Sequence, residues 1–387
     1  MTRIIALIVA FVISNSTGTA TAWATEYEFS KVADTTGPFA DFGEPSINGL
    51  GHVVFTATLN NGTTGLYLAT GTGLATLVDS TGALNQFDIR PDINNDDTVA
   101  FAASLDGGGN GIFTVGPGGL LTTIASEINQ FSPLTRLTIP AINNAGTVVF
   151  IAHFNGGNEG VFIGGNIPVM PIYDTSGPFA HFGGETQIND AGQVVFNAQL
   201  DGGATGIFLG NGGPTATIVD DQGDFQSFDY AAMDNLGNVA FRGATHTDVQ
   251  SGIFSGNGAA LNTLVNPAGP FDGVNPAYLN DHGTYAFLGV VGPNEFGIFT
   301  GTNPVDDSVL LTGTPFDGAT LNSIALGFNR RALNDSGEIV FKGVLSDGRV
   351  GIYVATPIAL PEPSSFLILA IGGLLIAGWK RSTQFPK

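Results

Sequence analysis

The chain has 387 residues, room for one large domain or two ordinary ones. Only 12% of residues are charged and 56 are glycine, which excludes coiled coils and helical bundles, while 43% hydrophobic residues argue for a packed core over disorder. A net charge of −21 with 12 lysines and arginines argues against nucleic acid as a partner, because phosphate binding needs clustered basic side chains.

The first element is a leader. Arg3 precedes an apolar run from Ile4 to Ile13, followed by a polar stretch and Ala22-Trp23-Ala24. This pattern predicts a signal peptide over residues 1–24, with the exported chain starting at Thr25. The chain has no cysteine, so outside the cytoplasm its stability must come from burial and not from disulfides.

Residues 25–357 are filled by seven copies of Asn-x-x-Gly-x-x-x-Phe. The lead positions are Asn48, Asn94, Asn143, Asn189, Asp234, Asn280 and Asn334, spaced by 46, 49, 46, 45, 46 and 54 residues. Each is followed seven positions later by Phe55, Phe101, Phe150, Phe196, Phe241, Phe287 or Phe341. A Gly-aliphatic-aromatic triplet comes ten or eleven positions beyond that, from Gly65-Leu66-Tyr67 to Gly351-Ile352-Tyr353. The segment after Asn predicts a tight turn in which Gly supplies a positive φ; repeat two has Asp97 there, tolerated at a cost. Runs such as Thr147-Val148-Val149-Phe150 predict strands, four to a unit, which matches the blade length of a β-propeller.

Repeat seven stops at Ala355 before its fourth strand, and Phe29 to Phe39 supplies a fourth strand with no blade before it. The expectation is an all-β, seven-bladed β-propeller closed by its N-terminal strand, because closure removes the sheet edges an open array would expose. The repeat resembles the tandem Asn-x-x-Gly-x-x-x-Phe family, whose members carry various surface anchors; that resemblance implies an exported, propeller-like protein.

Residues 358–387 form the last element. Pro361-Glu362-Pro363 precedes an apolar stretch over 366–379 and the basic pair Lys380-Arg381. This resembles the PEP-CTERM sorting signal. The resemblance implies an exosortase-type enzyme as partner, transient residence in the inner membrane, and delivery to the cell surface or an extracellular, polysaccharide-rich matrix. A fourteen-residue helix spans about 21 Å, short for a roughly 30 Å hydrocarbon core, which suits a transient membrane-spanning anchor. Removing both signals takes away Arg3, Lys380, Arg381, Lys387 and Glu362 and moves the charge from −21 to −24.

Candidate sites are few. The fourteen repeat aromatics are expected in the core and the repeat Asn residues in turns. Asp34, Asp79, Asp174, Asp220 and Asn266 recur before Gly-Pro-Phe or its equivalent and are expected to shape turns, with calcium as the alternative for such oxygen ligands. Four residues before each repeat Asn the sequence varies: Glu44, Arg90, Ile139, Glu185, Tyr230, Pro276 and Arg330. Variable, charged positions on a rigid scaffold are where binding resides, so Glu44, Arg90, Glu185, Tyr230 and Arg330 are the candidate ligand-binding residues, set near one mouth of the central channel. The 18-residue connection from Phe316 to Asn334, against 9 to 12 elsewhere, points to the same face. The five histidines share no register and show no metal-ligand spacing, and no nucleophile elbow or phosphate loop appears. The expected function is non-catalytic binding or adhesion, toward extracellular polysaccharide or surface proteins, with no cofactor. The alternative is a polysaccharide hydrolase or lyase using Glu44 and Glu185.

Overall fold

The computed structural model describes residues 3–4, 25–128, 134–248, 250–293, 295–327 and 331–358. Every regular element in them is a strand, and the strands form seven antiparallel sheets arranged as the blades of a propeller. The expected leader, apart from the backbone of Arg3–Ile4, lies outside the described residues, and so do Pro361, Glu362, Pro363, the apolar stretch, Lys380 and Arg381. Among the described residues no helix is long and apolar enough to cross a membrane.

Blade three shows the unit. Its innermost strand is split into Leu134–Leu137 and Ala141–Ile142, and Thr147–Phe154, Glu159–Gly165 and Met170–Asp174 follow outward. Between the first two of these strands and the third, the repeat Asn makes the turn. Gly51, Gly146, Gly192, Gly237, Gly283 and Gly337 all hold φ between 76° and 81°, and Asp97 holds φ 58°, as the sequence predicts. The Asn carboxamide caps its own turn: Asn48 Oδ1, for example, accepts from the N–H groups of Leu50 and His52, both at 3.0 Å.

The second-strand Phe and the third-strand aromatic of each blade are direct cross-strand partners, such as Phe150 with Phe162 and Phe341 with Tyr353. Their ring centroids lie 5.6 to 5.9 Å apart in all seven blades. All fourteen are buried, so the aromatics are core, as expected. The packing runs between blades. Phe55 and Tyr67 of blade one share a cluster with Val340, Ile352 and Val354 of blade seven, while Val54, Leu66 and Leu68 turn the other way onto Phe101 and Val115 of blade two. Alternate residues of one strand therefore serve two seams.

The closing strand behaves as predicted. Glu26–Asp34 pairs antiparallel with Val350–Ile358, placing Phe29 opposite Ala355 and Glu26 opposite Ile358. Phe29 is buried against Phe316 and Phe341. The charges toward the Asp34 end of this strand are also paired: Lys31 Nζ lies 2.7 Å from Asp34 and 3.0 Å from Asp317, and Arg349 Nη1 lies 2.8 Å from Asp317. Burial works to raise the Asp34 carboxyl, but the Lys31 ammonium and the Thr36 donors outweigh it and hold the group below the usual carboxylate range.

The recurrent Asp residues before Gly-Pro-Phe are turn residues. Asp34, Asp79 and Asp174 accept from the backbone N–H two positions on and from the Thr36, Thr81 or Ser176 hydroxyl. Asp220 and Asn266 make the same backbone bond to Gln222 and Ala268.

Candidate functional site

The Asn turns gather at one end of the central channel and join the blades through two concentric sets of hydrogen bonds. In the inner set each Asn Nδ2 donates to the carbonyl of the next repeat Asn: Asn48 to Asn94 at 2.9 Å, Asn94 to Asn143 at 3.2 Å, and Asn143 to Asn189 at 3.0 Å. Asn280 reaches Asn334 at 3.1 Å, and Asn334 reaches Asn48 at 3.0 Å. Asp234 has no amide to give, and Asn189 turns its own to Gln193, so this set has its gap around blade five.

The outer set uses the residue after the repeat Asn. Its N–H donates to the side-chain oxygen of the equivalent residue in the next blade, running Gly49, Asn95, Asn144, Asp190, Asn235, Asp281, Asp335 at 2.7 to 2.9 Å. Gly49 has no side chain to receive Asp335. The inner bond from Asn334 covers that seam instead.

A third set lies deeper, two positions before the repeat Asn. Ser46 Oγ donates to Pro91 O, Asp92 Oδ2 accepts from Ile142 N–H, Gln187 Oε1 accepts from Met233 N–H, and Tyr278 Oη donates to Gly327 O. From blade seven Arg331 stretches across the channel, and its Nη2 donates to Ile142 O of blade three at 3.2 Å.

Together these groups frame an axial cavity of about 80 Å³, open at the turn end. Asp92, Asp234, Asp281 and Asp335 line it with Asn95, Asn144, Asn235 and Gln187, and among the described residues Arg331 is the only lysine or arginine in the lining. Fields from several carboxylates around one concave mouth add, so the cavity attracts positive charge and repels acidic chains.

Of the candidate residues named from the sequence, Glu44 and Arg90 have described side chains. Glu44 and Arg90 are half-buried and do not line this cavity. Glu44 N–H donates to Ile89 O at the seam of blades one and two, and Arg90 Nε lies 3.7 Å from Asp88. Glu185 and Tyr230 belong to the innermost strands Phe179–Ile188 and Phe225–Met233, but their side chains, and all of Arg330, lie outside the described residues. The position they share has a physical signature. In blades four and five it falls on a bulge, between Gly183 and Gln187 and between Asp229 and Ala231. In blades one, two, three and six it falls in the break that splits the innermost strand. Side chains there are released from the ladder, which is why the sequence varies. Beside it, Arg242 grips Asp229 in a bidentate pair; burial pushes the Asp229 carboxyl up, with the guanidinium working against it.

Sequence reasoning missed the residue after the repeat Asn, although it is Asn or Asp in six of seven copies and so carried a visible signal. It also missed a histidine cluster. His153 and His181 share no register, yet the packing of blade four on blade three brings both onto Glu159, with Nδ1 atoms 3.0 and 2.6 Å from its two oxygens. Among the described residues no group of three or more His, Asp or Glu side chains is placed to hold a metal ion.

Comparison with known proteins places the architecture and leaves the chemistry open. A model described as a family of unknown function (DUF7453) matches residues 9–127 and 326–367, less than half of the chain. No curated protein matches. An oligogalacturonate lyase from Vibrio parahaemolyticus superposes with a TM-score of 0.54 at 12% identity, over 87% of this chain and 98% of that one. An oligogalacturonate lyase in complex with manganese gives 0.51 at 10% identity, over 88% and 97%. A prolyl endopeptidase gives 0.55 at 11% identity, over 83% of this chain and 51% of that one. At such identities the likeness is one of fold. The protein is a seven-bladed β-propeller with a polar axial cavity.

Proposed function

We propose that the protein is exported, sorted by an exosortase-type enzyme, and acts at the cell surface or in the extracellular matrix as a non-catalytic glycan-binding propeller. The sequence resemblances at both ends of the chain support export and sorting. The observation that carries binding is the axial cavity: amides and carboxylates held in fixed orientation by blade-to-blade hydrogen bonds present many acceptors and donors at low reorganisation cost, the pattern hydroxyl-rich ligands require.

A second reading is a polysaccharide lyase or hydrolase acting through Glu44 and Glu185. The likeness to two oligogalacturonate lyases favours it at the level of the fold. A glycan array with and without calcium, read for binding and for release of reducing ends or unsaturated products, separates the two. Binding without cleavage supports the first reading. Cleavage abolished by Glu44→Gln with Glu185→Gln supports the second.

A further inference from the structure

We propose that the axial cavity takes the protonated amine of an amino-sugar unit, with Asp92 as its principal acceptor; this rests on the glycan-binding reading above. Asp92 is 3% exposed and lines the cavity. Its Oδ2 accepts from Ile142 N–H at 2.9 Å, while its Oδ1 has no hydrogen-bond partner. A buried carboxylate oxygen without a donor is a standing penalty.

The stitch to blade three does not require that charge. At the same repeat position Ser46, Gln187 and Tyr278 join their blades with neutral groups, and an asparagine at 92 would receive the Ile142 N–H equally well. Arg331 does not supply a donor to Asp92 either: its guanidinium bonds the Ile142 carbonyl, and Asp92 Oδ1 has no hydrogen bond from it. The acid at 92 is therefore a buried acceptor, held in place with one oxygen unpartnered at the cavity wall, which a ligand amine reaches by a small shift of the side chain.

The rest of the lining narrows the ligand. Asp92, Asp234, Asp281 and Asp335 against Arg331 make the cavity anionic, in a chain whose total charge is −21. A uronic acid chain meets repulsion there, whereas an ammonium group gains from every carboxylate. The acids are spaced around the ring and not gathered at one point, so they suit a ligand with several separated donors. An ammonium group beside ring hydroxyls has that form.

The test is calorimetric titration of the full chain with three hexamers: glucosamine, N-acetylglucosamine and galacturonate. The glucosamine hexamer should bind, with the acetylated hexamer at least tenfold weaker. Asp92→Asn should lower affinity for the glucosamine hexamer at least tenfold with an unchanged melting temperature, and Asp335→Asn, at the exposed rim, should lower it less. Equal affinity for the amine and its acetylated form, or no loss in Asp92→Asn, overturns the inference while leaving glycan binding standing. If none of the three hexamers binds, glycan binding falls with it. Should Asp92→Asn fail to fold, the amine-to-acetyl ratio on the unaltered protein and the Asp335→Asn loss decide the matter.

Discussion

Asn334 and Asn48 are 286 residues apart, and the Nδ2 of the first donates to the carbonyl of the second at 3.0 Å, joining the last blade to the first. Asn334 also caps its own turn through the Glu338 N–H. Asn334→Ala removes both bonds and leaves a buried carbonyl at the seam, at a cost of about 2–3 kcal/mol. Urea unfolding followed by tyrosine fluorescence should show the midpoint falling with the slope unchanged. An effect below about 0.5 kcal/mol, the level of an ordinary surface change, would mean that the ring bonds do not hold the seam.

Asp97 gives a sharper test because two arguments disagree about it. From the sequence it is a flaw, a non-glycine residue at positive φ, and Asp97→Gly should stabilise by about 0.5–1 kcal/mol. In the structure Asp97 Oδ1 accepts from Asn48 Nδ2 at 2.9 Å and lies 2.8 Å from His52 Nδ1, both in the preceding blade. Removing those contacts costs more than the strain returns, so Asp97→Gly should destabilise by about 1 kcal/mol net. Thermal melting of the single variant gives the sign directly.

The closing strand makes its own prediction. Phe29 fills a pocket formed by Phe316 and Phe341, and Phe29→Ala should cost about 3–5 kcal/mol, as large-to-small changes in a packed core do. Because the loss falls on the closure, limited proteolysis should cut first around Glu26–Asp34 in the variant. Cutting spread evenly over all blades would show that the closing strand is no weaker point than the rest.

The seam between blades three and four should respond to acid. Burial works to raise the Glu159 carboxyl, but the Phe182 N–H and the side chains of His153 and His181 outweigh it and hold the group below its usual range. A carboxyl depressed in the folded state gives its full stabilisation above its unfolded value, and that contribution is lost as pH falls through the lower folded value. Unfolding free energy should therefore fall from about pH 5 downward, and Glu159→Gln should flatten that dependence while lowering stability at pH 7. Urea midpoints at pH 7, 5, 4 and 3 for both proteins check it; parallel curves would rule it out.

Export and sorting predict two masses. In a host with an exosortase, the protein recovered outside the cell should begin at Thr25 and lack the tail beyond the Pro361-Glu362-Pro363 motif. Glu362→Ala should leave the tail in place and the protein in the inner membrane fraction. Intact-mass spectrometry reads both ends at once.

Much of the fold was legible because the repeat amplifies weak signals. A single Asn-x-x-Gly turn means little, but seven in register fix the turn, the strand after it and the aromatic pair across it. The closing strand was legible for the same reason: Phe29 to Phe39 is recognisable only as a copy of a unit seen elsewhere. The cavity was not, since the search for function favoured positions that vary. Asp92, Gln187 and Arg331 act through contacts to other blades, and which blades touch is a property of closure that no one repeat encodes. Arg331 crosses from blade seven to blade three, a relation without trace in sequence spacing. The outer ring was overlooked for another reason: its Asx residues stand beside the repeat Asn, whose turn role drew the reading to the Asn alone.

The pairing of Glu26 with Ile358 has a directional consequence. The third strand of blade seven runs past Ala355, which faces Ile339 just after the Asn turn, so both ends of the propeller leave on the face that holds the cavity. Whatever follows Ile358 departs beside that mouth. If the proposed membrane tether follows at this point, it would turn the opening toward its own anchor, and cutting it would free the propeller to present the same opening outward.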